Sequence, residues 1–216
     1  TQGKQDGMNQ AFYAVRECED DICFTSDRGR IWCYQKKSGE FRLHELPTKA
    51  RITSIHAVGN DNTVVTTDSD GFFLSNLKTN KHIHYSPVTC KELSDQPILS
   101  AYVDRTSEVW FEQEEPGVVV HFNPATGVVK REQMRVEYSN ADRSRPAFHI
   151  HEDIHGHVWV HPYGGGFSYF DRERNCLVPF YDDLGSNNWR FSNKIHAAFS
   201  DKQGNLWLCT HSKGLE

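Results

Sequence analysis

The sequence predicts an all-β protein built from repeated four-stranded antiparallel sheets. Five short apolar cores recur along the 216 residues, centred on Cys23, Val65, Trp110, Trp159 and Trp207, which lie 42, 45, 49 and 48 positions apart. A glycine follows each centre after six or seven residues. No stretch sustains apolar residues at the i, i+3, i+4, i+7 spacing of a helix. Both observations favour strands throughout the chain.

Each repeat unit contains four predicted strands. The first strands lie at 12–15, 52–55, 98–101, 148–150 and 195–199, and each is followed by a turn rich in Asn, Asp or Gly and then by the apolar core as second strand. Third strands follow the glycine at 30–32, 72–74, 118–120 and 167–169, and more polar fourth strands lie at 41–44, 82–85, 128–130 and 177–180. The turn residues are those that tolerate the positive φ of tight hairpins.

Repeats of four antiparallel strands every 40–50 residues are typical of β-propeller blades. One such sheet is marginal alone and buries its two faces only between neighbouring sheets. We predict blades at about 11–47, 51–87, 97–134 and 147–181, with an incomplete fifth at 194–216. The incomplete unit suggests a piece of a larger propeller of about seven blades. A β-sandwich is the alternative, although it gives no reason for glycine and tryptophan to return at this period.

Composition excludes several classes of function. A net charge of −5, with no long basic run, predicts no nucleic-acid partner. No run of about 18 apolar residues is present, so the chain is not expected to span a membrane. Nothing in the sequence calls for a cofactor.

The six cysteines form no C-x-x-C pair, which argues against a zinc ribbon or a thioredoxin-type site. If residues 22–34 form a hairpin with its turn near Arg28, Cys23 and Cys33 lie opposite each other. A disulfide and two buried thiols are both open at this position, with the thiols as the simpler interpretation.

Two segments resemble the two-component-regulator propeller repeat, which reads roughly Asp-x-x-Gly-Asn-Leu-Trp-Val-Gly-Thr followed by Gly-Leu. These segments are residues 200–210, where Cys209 replaces the usual glycine, and residues 151–160. The resemblance weakens toward the N-terminus, where the first two copies keep only the apolar pattern and the glycine.

The resemblance implies a periplasmic sensor region of a hybrid two-component receptor that detects oligosaccharides and signals to a histidine kinase outside this sequence. It implies an oligosaccharide ligand and a neighbouring propeller or a second protomer as partner, in a dimer, with no catalytic residue in this region. The same repeat also occurs in streptogramin-lyase-like propellers. A secreted lyase or glycoside hydrolase and a protein-interaction scaffold therefore stay open as alternatives.

Long inter-blade links supply the candidate ligand-binding residues, since long loops on a rigid scaffold commonly carry binding groups. Trp189 lies outside the blade register and offers a stacking face for a sugar. The full candidate set is Arg143, Arg145, Tyr163, Asn188, Trp189 and Arg190. The two arginines suit a sulfate or a uronate, because a guanidinium pairs bidentately with an anion.

Two further groups support the enzyme alternative. His149 and His151 alternate along one strand and project to the same face, as a pair of metal ligands would. The acidic turn 112–116 supplies carboxylates for general acid–base chemistry. Surface histidines and solvated acids are the simpler interpretation of both groups, and we predict neither a metal site nor a catalytic site.

Overall fold

The computed structural model describes residues 11–17, 20–59, 61–134, 149–162, 167–179, 195–210 and 214–215. These residues form 19 strands in five antiparallel sheets, and sequence neighbours pair throughout each sheet. The prediction of an all-β chain of four-stranded units is therefore confirmed. The fifth sheet also contains a two-residue third strand, which the sequence analysis had placed in the glycine turn.

The strand bounds follow the repeat. The first sheet contains β1 (Phe12–Glu17), β2 (Asp21–Ser26), β3 (Arg30–Gln35) and β4 (Phe41–Glu45), and the second contains β5 (Ile52–Val58), β6 (Asn62–Thr67), β7 (Phe72–Asn76) and β8 (Lys81–Tyr85). The third contains β9 (Ile98–Val103), β10 (Val109–Gln113), β11 (Val118–Asn123) and β12 (Val128–Gln133). The fourth contains β13 (His149–Glu152), β14 (Val158–His161), β15 (Ser168–Asp171) and β16 (Cys176–Pro179), and the fifth β17 (Ile195–Ser200), β18 (Leu206–Thr210) and β19 (Gly214–Leu215).

The recurring glycine between the second and third strands is required by backbone geometry. Gly71 has a φ of +65°, and a Cβ there would come within 2.1 Å of the Tyr85 carbonyl oxygen at the end of β8. A side chain at this position would meet both a strained conformation and a backbone clash. Gly29 and Gly117, at the same point of the first and third sheets, also have positive φ, so in these three sheets the repeat glycine marks the turn between the second and third strands.

Neighbouring sheets pack face to face through apolar cores. The face that a sheet turns toward the next sheet along the chain is called its leading face, and the opposite one its trailing face. Between the second and third sheets, Val64, Phe72 and Leu74 on the leading face meet Val109 and Phe111 on the trailing face. Val65 points the other way, into the core shared with the first sheet. The counterpart of Trp110 in the second sheet is therefore Val64, one residue earlier than the sequence motif places it.

Polar contacts join the third and fourth sheets in both directions. Arg105 extends from the third sheet to Glu152, with 2.7 Å between its Nε and the carboxylate Oε1. Arg172 extends back from the fourth sheet, and its Nη2 lies 2.9 Å from Asp104 Oδ2. The apolar core between them contains Trp110, with no exposed surface, and Phe170.

Cys23 and Cys33 are joined by a disulfide across β2 and β3, where the sequence analysis preferred two buried thiols. Both cysteines are 2% exposed and pack against the second sheet. The predicted pairing of Cys23 opposite Cys33 in the hairpin is confirmed. The two sulfurs are bonded to each other, so the alternative of two free thiols is wrong.

Removing this disulfide is expected to lower the free energy of unfolding by about 2 kcal/mol, because it closes a short loop of the unfolded chain. Addition of a reductant should lower the urea midpoint of the wild-type protein by the corresponding amount. The Cys23→Ala/Cys33→Ala variant should have a lower midpoint that the reductant leaves unchanged. A wild-type midpoint that is indifferent to complete reduction, checked by mass spectrometry, contradicts the prediction.

Within the described part of the chain, no helix is long and apolar enough to cross a membrane.

Candidate ligand-binding face

One side of the sheet array brings together the turns between second and third strands and the links between sheets. We call it the link side. Its turns bond directly to the links: Gly29 N donates to Ala50 O, Asp68 N to Arg51 O, and Glu114 N to Pro97 O. These hydrogen bonds fix the loops of adjacent sheets relative to each other. The link side is thus a rigid surface built from several distant segments of the chain.

The ligand-binding residues predicted from the sequence are Arg143, Arg145, Tyr163, Asn188, Trp189 and Arg190. All six lie outside the described residues. They stay predictions.

The described part of the link side contains a cluster that the sequence analysis missed, which we call the link-side cluster: Tyr13, Asp27, Arg51 and Asp68. The Arg51 guanidinium carbon lies 5.2 Å from the centre of the Tyr13 ring. Its Nε lies 3.3 Å from Asp68 Oδ2, and its backbone N donates to Oδ1 of the same carboxylate at 3.2 Å. The Tyr13 hydroxyl donates to Asp27 Oδ2 at 3.3 Å.

This cluster places an aromatic ring, a guanidinium and two carboxylates within one exposed area. Tyr13 is 45% exposed and Arg51 presents about half of its side chain to solvent. Partial burial and the neighbouring Asp27 carboxylate raise the pKa of Tyr13, so its hydroxyl stays a donor at neutral pH. Carboxylates and a guanidinium can bond the hydroxyls of a polar ligand, while the tyrosine ring offers an apolar surface.

Sequence reasoning missed the cluster because its members are far apart along the chain. Tyr13 belongs to the first strand of the first sheet and Asp27 to the turn between its second and third strands. Arg51 comes just before β5 and Asp68 just after β6 in the second sheet. Each falls at the link-side end of its strand, which is the signal that could have found them. Their proximity depends on how the first two sheets pack, and local pattern does not predict that packing.

The acidic turn proposed for acid–base chemistry has a structural role in the described contacts. The fully buried Gln113 side chain bonds the link before β9, donating to Ser94 O and Gln96 O and accepting from Ser94 N. Glu115 forms an ion pair with Arg131, and Glu112 is 2% exposed within the third sheet. The acidic turn 112–116 therefore holds the link before β9 in place through Gln113.

The histidines of the fourth sheet each have individual neighbours. His151 Nε2 lies 2.8 Å from Ser200 Oγ in the fifth sheet, and His157 Nδ1 lies 2.9 Å from Asp153 Oδ2. The side chain of His149 lies outside the described set. Among the side chains that the structure describes, no three His, Cys, Asp or Glu residues are grouped as metal ligands.

The recurring Asp and Trp of the repeat form a hairpin clamp on the opposite side of the array. In the third, fourth and fifth sheets, the indole N–H of Trp110, Trp159 and Trp207 donates to Oδ2 of the aspartate six residues earlier at 2.9 Å. The other carboxylate oxygen accepts two backbone N–H groups of the turn, as at Asp153 from His155 and His157.

These hydrogen bonds stabilise the ionised form of the clamp aspartates. Although burial opposes the shift, the bonds from Trp159 and His157 lower the pKa of Asp153 to about 2. Bonds from the Asn205 side chain and from Trp207 lower the pKa of Asp201 to about 2 as well. The most regular residues of the repeat therefore serve the fold.

Five antiparallel sheets standing side by side with adjacent first strands, β1 beside β5, β5 beside β9 and β13 beside β17, define the chain as a β-propeller structure. The family model of the two component regulator propeller matches residues 190–212. The last copy of the repeat is thus similar to the two component regulator propeller repeat, in agreement with the resemblance found in the sequence.

Solved structures share this fold. The extracellular domain of BT4673 from B. thetaiotaomicron, described as a one-component system, is 19% identical with a TM-score of 0.60 and is matched over 93% of this chain and 26% of its own. The extracellular domain of the hybrid two-component system BT3049 from the same organism is 17% identical with a TM-score of 0.58, over 98% of this chain and 34% of its own. Virginiamycin B lyase from Staphylococcus aureus, an inactive H270A form with quinupristin, is 13% identical with a TM-score of 0.64, over 95% and 68%.

The chain therefore spans between a quarter and about a third of the two extracellular domains it matches. Comparison with curated protein sequences gives no match.

Proposed function

We propose that this chain is a ligand-sensing propeller region of an extracytoplasmic two-component receptor and that it binds an oligosaccharide. The family repeat at 190–212 and the likeness to extracellular receptor domains support the sensor role. The observation that carries the ligand class is the link-side cluster, which combines an exposed tyrosine ring with a guanidinium and two carboxylates. In the intact receptor, ligand would shift the equilibrium between two propeller arrangements through its different affinity for them and so control a kinase.

The buried disulfide supports an extracytoplasmic location. Disulfides form and persist in oxidising compartments and are rare in the cytosol. The Cys23–Cys33 bond lies in the core between the first two sheets, where it is shielded from solvent. A periplasmic position in a bacterial receptor satisfies this requirement.

Calorimetry of the full 216-residue chain against defined neutral and acidic oligosaccharides tests the proposal. We expect one class of glycan to bind without turnover. Arg51→Ala and Tyr13→Ala are each expected to weaken that binding about tenfold, a loss of about 1.4 kcal/mol, because each removes a direct contact while the sheets stay intact. Trp189→Ala reports whether the predicted link 181–193 contributes to the same site.

Arg174→Ala is the matched control. Arg174 also faces an aspartate, Asp171, with 3.5 Å between Nε and Oδ2, and its side chain is 73% exposed. It lies in the turn between β15 and β16, away from the link side. Binding should be unchanged in this variant. Product formation from any glycan would replace the sensor proposal with an enzyme, and equal losses in Arg174→Ala and Arg51→Ala would remove the link-side cluster as the site.

A further inference from the structure

Arg16 and His56 form a polar pair between the first two sheets, on the neighbouring first strands β1 and β5. Arg16 lies opposite Cys23 in the register of the first sheet, and Cys23 packs on the second sheet. Because residues opposite each other share a face, Arg16 lies on the leading face. Its guanidinium Nη1 lies 3.3 Å from His56 Nδ1. The surroundings of the pair therefore come from two sheets that this chain itself contains.

Arg16 differs from the other partly buried arginines that the structure describes. Arg30 forms an ion pair with Glu45, and Arg131 forms one with Glu115. No carboxylate of the described residues lies within ion-pair distance of the Arg16 guanidinium, whose contact is the His56 ring. A guanidinium keeps its charge in proteins, and a partly buried charge without a partner is unfavourable. An anion beside Arg16 would supply this missing partner.

The pair also presents two buried N–H donors that have no acceptor. An arginine only donates, so His56 Nδ1 accepts from Arg16, and the neutral imidazole then carries its proton on Nε2. Burial and the Arg16 charge hold His56 in this neutral form, because they lower its pKa to about 4. Among the residues that the structure describes, neither His56 Nε2 nor Arg16 Nε has a hydrogen-bond partner. Buried donors in folded proteins are nearly always bonded, so these two indicate the position of an accepting group.

We propose that Arg16 and His56 bind an oxyanion, either a carboxylate or a small inorganic anion such as sulfate. Both residues are partly exposed, so the pair lies at the edge of the junction and not within its apolar core. A water molecule can accept both hydrogen bonds, but it leaves the guanidinium charge without a counter-ion, whereas an anion supplies both. The site is separate from the link-side cluster, where Arg51 already faces Asp68, and it does not depend on the proposed function.

Nitrogen NMR of the histidine rings in the isotope-labelled chain tests the proposal with sodium sulfate, sodium acetate and sodium glucuronate, at neutral pH and at an ionic strength held constant with sodium chloride. We expect a saturable shift of the His56 Nε2 resonance, half complete at about 1 mM anion or less. His121 is the internal control: its Nε2 also has no hydrogen-bond partner among the described residues, but the neighbouring Arg172 is paired with Asp104. Equal affinity for all three probes would indicate a free anion as the ligand, and tighter binding of glucuronate would indicate an acidic sugar.

Arg16→Gln should weaken this binding about tenfold or more, because it removes the charge and the Nε–H donor. Arg42→Gln is the matched control, since Arg42 also belongs to the first sheet but is exposed, and this variant should bind as the wild type does. Sulfate should raise the urea midpoint of the wild type more than that of Arg16→Gln, because only the wild type binds it in the folded state. If Arg16→Gln fails to fold, Arg16→Lys, which keeps the charge and loses Nε–H, replaces it. The absence of a saturable His56 shift with every probe, or equal binding by the Arg16 variant and the wild type, would overturn the proposal.

Discussion

Asp104→Ala is expected to destabilise the protein by about 3–4 kcal/mol, the range for breaking a buried ion pair and stranding its donors. The Asp104 side chain is 0% exposed and accepts from Trp110 Nε1, from the Thr106 hydroxyl and backbone N–H, and from Glu108 N. Its Oδ2 also lies 2.9 Å from Arg172 Nη2 of the fourth sheet. One substitution therefore removes a hairpin clamp and an inter-sheet contact together. Urea unfolding followed by tryptophan fluorescence measures the loss.

Asp201→Ala is the matched control for this prediction. Asp201 makes the same clamp in the fifth sheet, with Trp207 Nε1 at 2.9 Å and the Gln203 and Asn205 backbone N–H groups. Asp201 is less buried than Asp104, and among the described residues no arginine of another sheet lies within ion-pair distance of it. Water can therefore replace the lost bonds, so the urea midpoint should change much less. If Asp104→Ala and Asp201→Ala lowered the free energy of unfolding equally, the clamp itself, and not its burial between sheets, would determine the destabilisation.

The sequence alone predicted the fold because the signals that determine it are local. A glycine with positive φ beside a backbone carbonyl oxygen forms the turn between the second and third strands in the first and second sheets, at Gly29 and Gly71. Alternating apolar residues then fix which face of each strand is buried. Asp and Trp are also six residues apart in the third, fourth and fifth sheets, and the hydrogen bond between them explains this constant offset, which the sequence analysis did not use.

Features that depend on packing between sheets were not predicted. The motif aligned Val65 with Trp110, yet Val64 packs on the leading face of the second sheet and Val65 belongs to the core shared with the first sheet. The link-side cluster joins Tyr13 to Arg51 across a sheet junction, and no spacing rule relates those positions. The predicted site residues were chosen because they lie in long links between sheets. The link-side cluster lies at strand ends, so this choice did not include it.

Acid is expected to destabilise the protein well above the pH at which its carboxylates titrate, because the buried His121 and the half-buried His56 are held in neutral form. His121 is 5% exposed, stacks 4.7 Å from Trp110 and lies 5.1 Å from Phe170, between the third and fourth sheets. Burial, with Lys130 and Arg172 adding repulsion and Asp104 opposing them, lowers the pKa of His121 to about 4. Burial and then Arg16, whose Nη1 lies 3.3 Å from Nδ1, lower the pKa of His56 to about 4.

The direction of the effect follows from proton uptake. In the unfolded chain each imidazole titrates near pH 6.5, whereas in the folded protein it stays neutral down to about pH 4. Between these values the unfolded state binds more protons, so stability is full above about pH 6.5 and falls as the pH decreases. Each histidine should lower the free energy of unfolding by about 2 kcal/mol between pH 7 and pH 5. This range lies above the pH at which the carboxylates of the unfolded chain protonate.

His121→Phe isolates one half of this effect. A phenyl ring keeps the stacking on Trp110 and contacts Phe170 without a titratable group, so the urea midpoint should depend on pH about half as steeply as in the wild type. The nearest carboxylate oxygen, Glu132 Oε1, lies 3.9 Å from His121 Nε2, beyond hydrogen-bond distance. A pH dependence in His121→Phe as steep as that of the wild type would show that His121 does not contribute to it and would contradict the prediction.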